Sequence, residues 1–133
     1  MERYRGWFLA AAVYNLVWGL IVIAFPEELF ALAGVPPTNY PALFQCIGMM
    51  VLAYAPRYWL VWRDPKRFGP FVWIGILGKA LGPIGFLTSA IRGDLPWSFG
   101  WLISLNDLPW LPAFLLFAKK MLRDEGESTP PLI

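Results

Sequence analysis

The chain has 133 residues, of which 58% are hydrophobic and 15% are charged, and its formal net charge is +2. Soluble domains average about 45–50% apolar and about 25% charged residues, so this composition predicts an integral membrane protein of one domain. The chain has no histidine and a single cysteine, Cys46, which excludes an intrachain disulfide, histidine-ligated haem, the usual zinc, copper and non-haem iron sites, and nucleophilic pairs that use histidine.

The first apolar segment runs from about Trp7 to Phe25 and follows a short basic start. A secretory signal peptide begins in the same way, and Ala31-Leu32-Ala33 imitates its cleavage site. Two acidic residues, Glu27 and Glu28, lie just before that site, which is unfavourable for cleavage. We therefore expect this segment to be a retained first span.

A short helix is predicted from Pro26 to Gly34. Proline suits the first turn of a helix, two following glutamates suit the positive end of the helix dipole, and glycine suits the stop. This segment is too short to cross a bilayer. Three apolar residues indicate that it lies along the membrane surface: Leu29, Phe30 and Leu32. An ordinary ordered loop is the alternative.

Three further apolar segments are predicted to span the membrane, at about Tyr40–Trp62, Pro70–Ile91 and Trp97–Ala118. Pro56, near the end of the second span, predicts a kink or an early stop. The predicted fold is an all-α antiparallel four-helix transmembrane bundle formed by residues 1–123. Residues 124–133 read as a polar, flexible tail.

The basic residues predict the orientation of this bundle. Lys79 falls within the membrane and Arg92 on one side of it, and all the other basic residues fall on or near the opposite side: Arg3, Arg5, Arg57, Arg63, Lys66, Arg67, Lys119, Lys120 and Arg123. The positive-inside rule then places both termini in the cytoplasm. Aromatic residues expected at the inner surface agree: Tyr4, Trp7, Tyr58, Trp59, Trp62 and Trp73. We expect a multi-pass protein of a bacterial cytoplasmic membrane.

Two opposite charges fall inside predicted spans. With a helical rise of about 1.5 Å per residue, Lys79 lies about 14 Å in from the start of the third span and Asp107 about 15 Å in from the start of the fourth. The hydrocarbon core is about 30 Å thick, so both charges would lie near its middle and could meet. Because an ionisable group inside a membrane is costly, the pair is a candidate functional site.

Amide side chains extend this candidate site. Asn106 precedes Asp107 directly, and Asn15 in the first span lies at a similar depth. Together with Lys79 they form the predicted polar core, and Gln45, nearer the outer surface, is added to it. One interpretation is a static ion pair that fixes how the helices register. Another is a pair that opens to bind an anionic or polar solute or to pass protons, and a third is pairing with another subunit.

Glycines and prolines surround the two charges. Four glycines share one stripe of the third span, where a neighbouring helix could approach closely or a flat ligand could fit: Gly75, Gly78, Gly82 and Gly85. Proline cannot donate a backbone hydrogen bond, so helix kinks with a free carbonyl four residues earlier are predicted at three positions: Pro83, Pro109 and Pro112.

The start of the chain resembles the opening of the DoxX/DoxD group of small four-helix bacterial membrane proteins, through Arg5-Gly6-Trp7, Gly19, Pro26 and Gly34. The likeness covers about the first third of the chain. It implies an accessory role in quinone-linked redox chemistry, and no functional residues are carried over. The sequence Asn106-Asp107-Leu108-Pro109-Trp110 has no counterpart in that group.

The sequence predicts first a non-catalytic accessory or assembly subunit of a membrane complex, because short polar turns leave no room for a soluble catalytic site. A protein that translocates a small solute or protons through Lys79 and Asp107 ranks second, and a quinone-linked redox subunit third. We predict no resident cofactor, although a quinone, carotenoid or lipid held by contact alone is compatible with the sequence. The expected partners are membrane lipids and other membrane subunits or further copies of the chain, and no nucleic acid.

Overall fold

A computed structural model describes residues 2–37 and 39–128, and over these residues the chain is all-helical, which confirms the all-α part of the predicted fold. A 3₁₀ turn at Trp97–Phe99 precedes the sixth of seven α-helices. The helices are α1 (Glu2–Ala24), α2 (Pro26–Leu32), α3 (Pro41–Arg63), α4 (Pro65–Phe68), α5 (Phe71–Arg92), α6 (Gly100–Asp107) and α7 (Leu111–Ser128).

Three helical segments within the described residues are long and apolar enough to cross a membrane: Glu2–Ala24, Phe71–Arg92 and Trp97–Glu127. The hydrophobic pattern of the sequence predicts four spans. Helix α3 has 23 residues, as many as α1, but it is not among the three. Its sequence includes Gln45, Arg57 and four Tyr or Trp residues, which lower its mean hydropathy.

Helices α1 and α3 are joined at both ends by side-chain hydrogen bonds. Arg5, near the start of α1, donates through Nε to the Trp62 carbonyl at 2.7 Å. Gln45, near the start of α3, donates through Nε2 to the Ile23 carbonyl at 2.8 Å. Since each bond connects the beginning of one helix to the end of the other, α1 and α3 lie side by side in opposite directions.

Two glycines allow the backbones of α1 and α3 to touch. A Cβ atom added to Gly19 would lie 2.8 Å from the Gly48 carbonyl oxygen, and one added to Gly48 would lie 2.8 Å from a methyl carbon of Val22. Neither separation is possible for a real side chain without a shift of the helices. Small residues permit this kind of close helix contact between apolar helices.

Aromatic rings form the main core, where α1, α3 and α7 meet. The Phe8 ring stacks on that of Phe114 with 5.0 Å between centroids and meets the Phe117 ring edge-on at 4.7 Å. Tyr58 of α3 closes the cluster, with its ring centroid 5.1 Å from that of Phe114. All four residues are buried, so this cluster fixes the position of α7 against the α1–α3 pair.

Helix α2 has the predicted start and stop. Pro26 occupies its first turn, and Gly34 follows it in the left-handed conformation at φ 67°, which favours glycine. The position of this helix along a membrane surface, predicted from Leu29, Phe30 and Leu32, stays a prediction. Leu29 and Phe30 are buried within the protein at 5% and 4% exposure, and the Phe30 ring packs against rings of α3 and the 3₁₀ turn. Leu32 is 84% exposed.

The predicted proline kinks differ in outcome. Pro56 and Pro83 lie inside α3 and α5, and both helices continue beyond them. The fourth predicted span is interrupted at residues 108–110, so Pro109 lies between two helices. Pro112 is the second residue of α7, where its missing N–H costs nothing, so it starts a helix and does not kink one.

Helix α7 extends beyond the predicted end of the fourth span. It continues to Ser128, so the first residues of the predicted flexible tail are helical. Lys120 and Asp124 form an ion pair one turn apart at 3.9 Å, which supports this extension. Residues 129–133 of the predicted tail lie outside the described residues.

The glycine stripe of α5 is only partly used for packing. A Cβ on Gly75 would lie 3.0 Å from the Tyr58 ring, and one on Gly78 would lie 3.1 Å from the Tyr54 hydroxyl oxygen. A Cβ on Gly85 would have no heavy atom within 4 Å. The tyrosines of α3 therefore pack against Gly75 and Gly78, near the start of the stripe, and Gly85 faces outward.

Replacement of Gly19 by alanine tests the α1–α3 contact. We expect Gly19→Ala to lower the free energy of unfolding by about 1–3 kcal/mol, because the new methyl group collides with backbone atoms of α3. Gly85→Ala is the matched control in a helix interior and should be neutral or gain up to about 1 kcal/mol. Unfolding monitored by circular dichroism measures both changes, and equal effects would contradict the proposed contact.

Candidate functional site

Lys79 and Asp107 meet in the interior of the protein. The Lys79 Nζ atom lies 3.4 Å from Asp107 Oδ1. The two residues are 4% and 5% exposed, so the pair is shielded from the surroundings on nearly all sides. Lys79 comes from the middle of α5 and Asp107 is the last residue of α6. The last carbonyl groups of a helix have no partner within it, so at the end of α6 they are free to help solvate a buried ion pair.

The helix interruption after α6 supplies these backbone groups. Pro109 has no N–H to offer to the Leu105 carbonyl, and the Tyr14 hydroxyl of α1 donates to that carbonyl at 3.2 Å. The next carbonyl, that of Asn106, accepts a hydrogen bond of 2.8 Å from Lys79 Nζ. Side chains of α1 and α5 thus bind carbonyl groups that a continuous helix would bond internally.

The Asp107 carboxylate has a different environment at each oxygen. Oδ1 accepts a hydrogen bond of 2.9 Å from the Asn106 side-chain amide and faces Lys79. Oδ2 points at Gly82 of α5, where any side chain would overlap it. The absent side chain at Gly82 is therefore what lets the carboxylate reach the interior of the protein.

Two buried amide groups beside the pair are only half satisfied. Asn15 is fully buried, and its Nδ2 donates to the Ala11 carbonyl at 2.7 Å. Asn106 uses its Nδ2 to donate to Asp107. These donor bonds fix the orientation of both amides, and both Oδ1 atoms find no hydrogen-bond partner within the described part of the chain. Most buried polar atoms in proteins are hydrogen-bonded, because an unsatisfied one costs free energy, so these two oxygens need an explanation.

A cavity of about 380 Å³ adjoins the ion pair. Its polar end contains Asn15, Lys79, Asn106 and Asp107, and the side chains of Tyr54 and Tyr58 form part of its wall. Three apolar residues also line the cavity, and they are more than half exposed: Ile47, Met50 and Leu81. The cavity therefore reaches from a buried polar end to an apolar mouth between α3 and α5.

Gln45 does not belong to this site. It is part of the polar core predicted from the sequence, but its amide donates to the Ile23 carbonyl at the end of α1 and it does not line the cavity. The structure corrects this assignment. The reason is that Gln45 lies in the second turn of α3, where the nearest free backbone acceptor belongs to the last turn of α1.

Three tyrosines contribute to the site and were not predicted to do so. Tyr14 bonds the freed Leu105 carbonyl, and Tyr54 and Tyr58 line the cavity. From the sequence, Tyr58 is expected among the aromatic residues at the inner surface, whereas in the structure it is buried at 2% exposure. The spacing of four residues between Tyr54 and Tyr58, which puts both on one face of α3, was the available signal.

The donor set does not favour a metal. Among residues 2–37 and 39–128, no group of three or more His, Cys, Asp or Glu side chains could hold a metal ion. The arrangement instead offers one cation, one anion and unpaired neutral acceptors around a cavity, which suits the binding of a small organic molecule.

No protein-family model, curated protein or solved structure matches the chain.

A double-mutant cycle tests the ion pair. We expect Lys79→Met and Asp107→Leu each to lower the free energy of unfolding by about 3–5 kcal/mol, because either change leaves an unpaired buried charge. The double variant should lose clearly less than the sum of the two, since it leaves no charge behind. Denaturant unfolding in detergent micelles measures all the variants.

The partly exposed pair of Lys120 and Asp124 provides the control cycle. Its side chains are 31% and 40% exposed, so Lys120→Met and Asp124→Asn should show a coupling energy of no more than about 0.5 kcal/mol. Additive losses at Lys79 and Asp107 would mean that the two residues do not act as a pair.

Proposed function

We propose that the chain is a non-catalytic integral membrane protein, an accessory subunit in type, which binds a small molecule at the Lys79–Asp107 site. Three helical segments suit a membrane by length and composition. We assign α3 as the fourth span, because it has the same length as α1 and packs against it from end to end. The proposed bundle has four antiparallel spans, lies in a bacterial cytoplasmic membrane and has both termini in the cytoplasm.

The outward faces of the helices support membrane insertion. Many large apolar side chains are at least one third exposed along the long helices, including Leu20, Met50, Leu77, Ile84 and Leu115. A soluble monomer rarely exposes apolar surface on this scale, whereas lipid chains cover it at no cost.

The observation that carries the binding function is the cavity beside the pair. An ion pair that only sets helix register would be enclosed by packing and fully hydrogen-bonded. Here a cavity of about 380 Å³ adjoins the pair, and two amide oxygens next to it are unsatisfied. Ligand pockets commonly measure about 300–1,000 Å³ and combine apolar walls with a few convergent polar groups.

The proposed route into the site is lateral. The mouth residues Ile47, Met50 and Leu81 are exposed on the sides of α3 and α5. In the four-span arrangement these sides face lipid. A molecule dissolved in the bilayer could therefore enter between the two helices without crossing the polar surface.

Blocking the mouth tests this function. Native mass spectrometry of protein extracted in mild detergent should show a bound small molecule on the wild type and at least tenfold less on Met50→Trp, because the larger ring fills the mouth. Met49→Trp is the matched control, since Met49 is similarly exposed at 54%, adjacent in sequence and not part of the cavity wall. Equal occupancy in both variants, or none on the wild type, would contradict the proposal.

Translocation of protons or a small solute is the second candidate, favoured by the interruption between α6 and α7 beside the ion pair. Discontinuous helices near the midplane form the substrate sites of many transporters, because they place free backbone groups around the substrate. Lys79 and Asp107 would then change partners during each transport cycle.

Reconstitution tests the second candidate. If protons are translocated, liposomes that contain the wild-type protein and a pH-sensitive dye should show a proton flux at least tenfold above liposomes with Asp107→Asn or Lys79→Met. The reason is that either variant removes one of the two groups that exchange charge. Equal and negligible fluxes for all three proteins would exclude proton translocation.

A further inference from the structure

We propose that the ligand of this cavity is a neutral amphiphile whose polar head donates hydrogen bonds to the Asn15 and Asn106 amide oxygens. This inference rests on the proposed function and adds the chemical class of the ligand. It follows from three features of the cavity: which polar atoms are unpaired, how the charges are balanced, and what lines the remainder of the wall.

Two buried acceptor atoms of the cavity have no hydrogen-bond partner within the described residues. Asn15 and Asn106 both line it, each donates one hydrogen bond through Nδ2 to a protein group, and both keep an unpartnered Oδ1 within the described residues. Asn15 is 0% exposed, so bulk water does not reach its oxygen. A ligand with O–H or N–H groups at this end would satisfy these oxygens. A ligand with only acceptors would leave them unpaired and would add acceptors of its own to the same space.

The charges of the site exclude an ionic head group. Lys79 and Asp107 balance each other at 3.4 Å, and the Lys79 ammonium also donates to the Asn106 carbonyl. A charged head would therefore enter a region of low dielectric constant in which both possible partners are already paired. An anionic head would in addition face the two amide oxygens. A neutral donor such as a phenol or an alcohol brings no unpaired charge into the cavity and is not repelled by the amide oxygens.

The remainder of the cavity is suited to an apolar body. The rings of Tyr54 and Tyr58 lie nearly parallel, at 17° and 6.2 Å between centroids, and both contribute to the wall. Gly78 lies opposite the Tyr54 hydroxyl and adds no side chain of its own. From there the apolar mouth at Met50 and Leu81 leads outward, so a hydrocarbon tail would extend into the lipid.

A matched set of probes tests this class without any mutation. The protein in lipid nanodiscs is titrated calorimetrically with para-hexylphenol, para-hexylanisole and para-hexylbenzoate, and empty nanodiscs correct for partitioning into lipid. The three probes share one ring and tail and differ in whether the head is a neutral donor, a neutral acceptor or an anion. We expect para-hexylphenol to bind about tenfold tighter than either of the others, which corresponds to about 1.4 kcal/mol.

Amide variants locate the effect within the cavity. Asn15→Leu and, independently, Asn106→Leu should reduce the preference for para-hexylphenol over para-hexylanisole to less than about threefold. Gln45→Leu is the control, because it removes an amide that bonds outside the cavity and should preserve the tenfold preference. If an asparagine variant fails to fold, the ratio measured with the wild-type protein still decides the question.

The outcomes separate this inference from the function on which it rests. Equal binding of para-hexylphenol and para-hexylanisole, or tighter binding of para-hexylbenzoate, would overturn the donor assignment and leave the binding function intact. A preference that Gln45→Leu removes as strongly as Asn15→Leu would also overturn it. Failure of all three probes to bind above the level of empty nanodiscs would overturn the proposed function itself.

Discussion

The site depends on the interruption of the fourth hydrophobic segment at residues 108–110. An uninterrupted helix would bond its carbonyls internally, and Lys79 would have only a carboxylate to face. The interruption turns the Leu105 and Asn106 carbonyls toward α1 and α5, where Tyr14 and Lys79 bind them. The lysine is thus held by a carbonyl dipole as well as by Asp107, which reduces the cost of burying a charge in a region with few other polar groups.

Much of this site could be predicted by counting residues. The depth of a residue in a span follows from its distance along the helix, so Lys79, Asp107 and Asn15 could be placed near one level from the sequence alone. The freed Leu105 carbonyl followed from the covalent structure of proline. The first inference needs only the helical rise, and the second needs only the missing N–H of proline. Neither inference depends on which helices are neighbours.

The features that could not be predicted all depend on neighbours. Gln45 bonds α1 because those two helices pair, and Phe30 is buried because aromatic rings of α3 and the 3₁₀ turn meet it. Tyr58 resembles an interfacial tyrosine by composition, yet Gly75 of α5 leaves the space that buries its ring. The cavity is the extreme case, since side chains of four helices line it and no residue pattern encodes how these helices are placed.

The position of the cavity follows from how unevenly α3 is held. Toward α1 it is bonded at both ends and makes backbone contact at Gly48, so this side cannot open without breaking several interactions. Toward α5 it makes contact where Tyr54 and Tyr58 lie on the glycine stripe. The cavity lies beside these tyrosines and is also lined by Lys79 and Asp107. Any movement that admits a ligand should therefore occur between α3 and α5, with α1 and α3 moving as one unit.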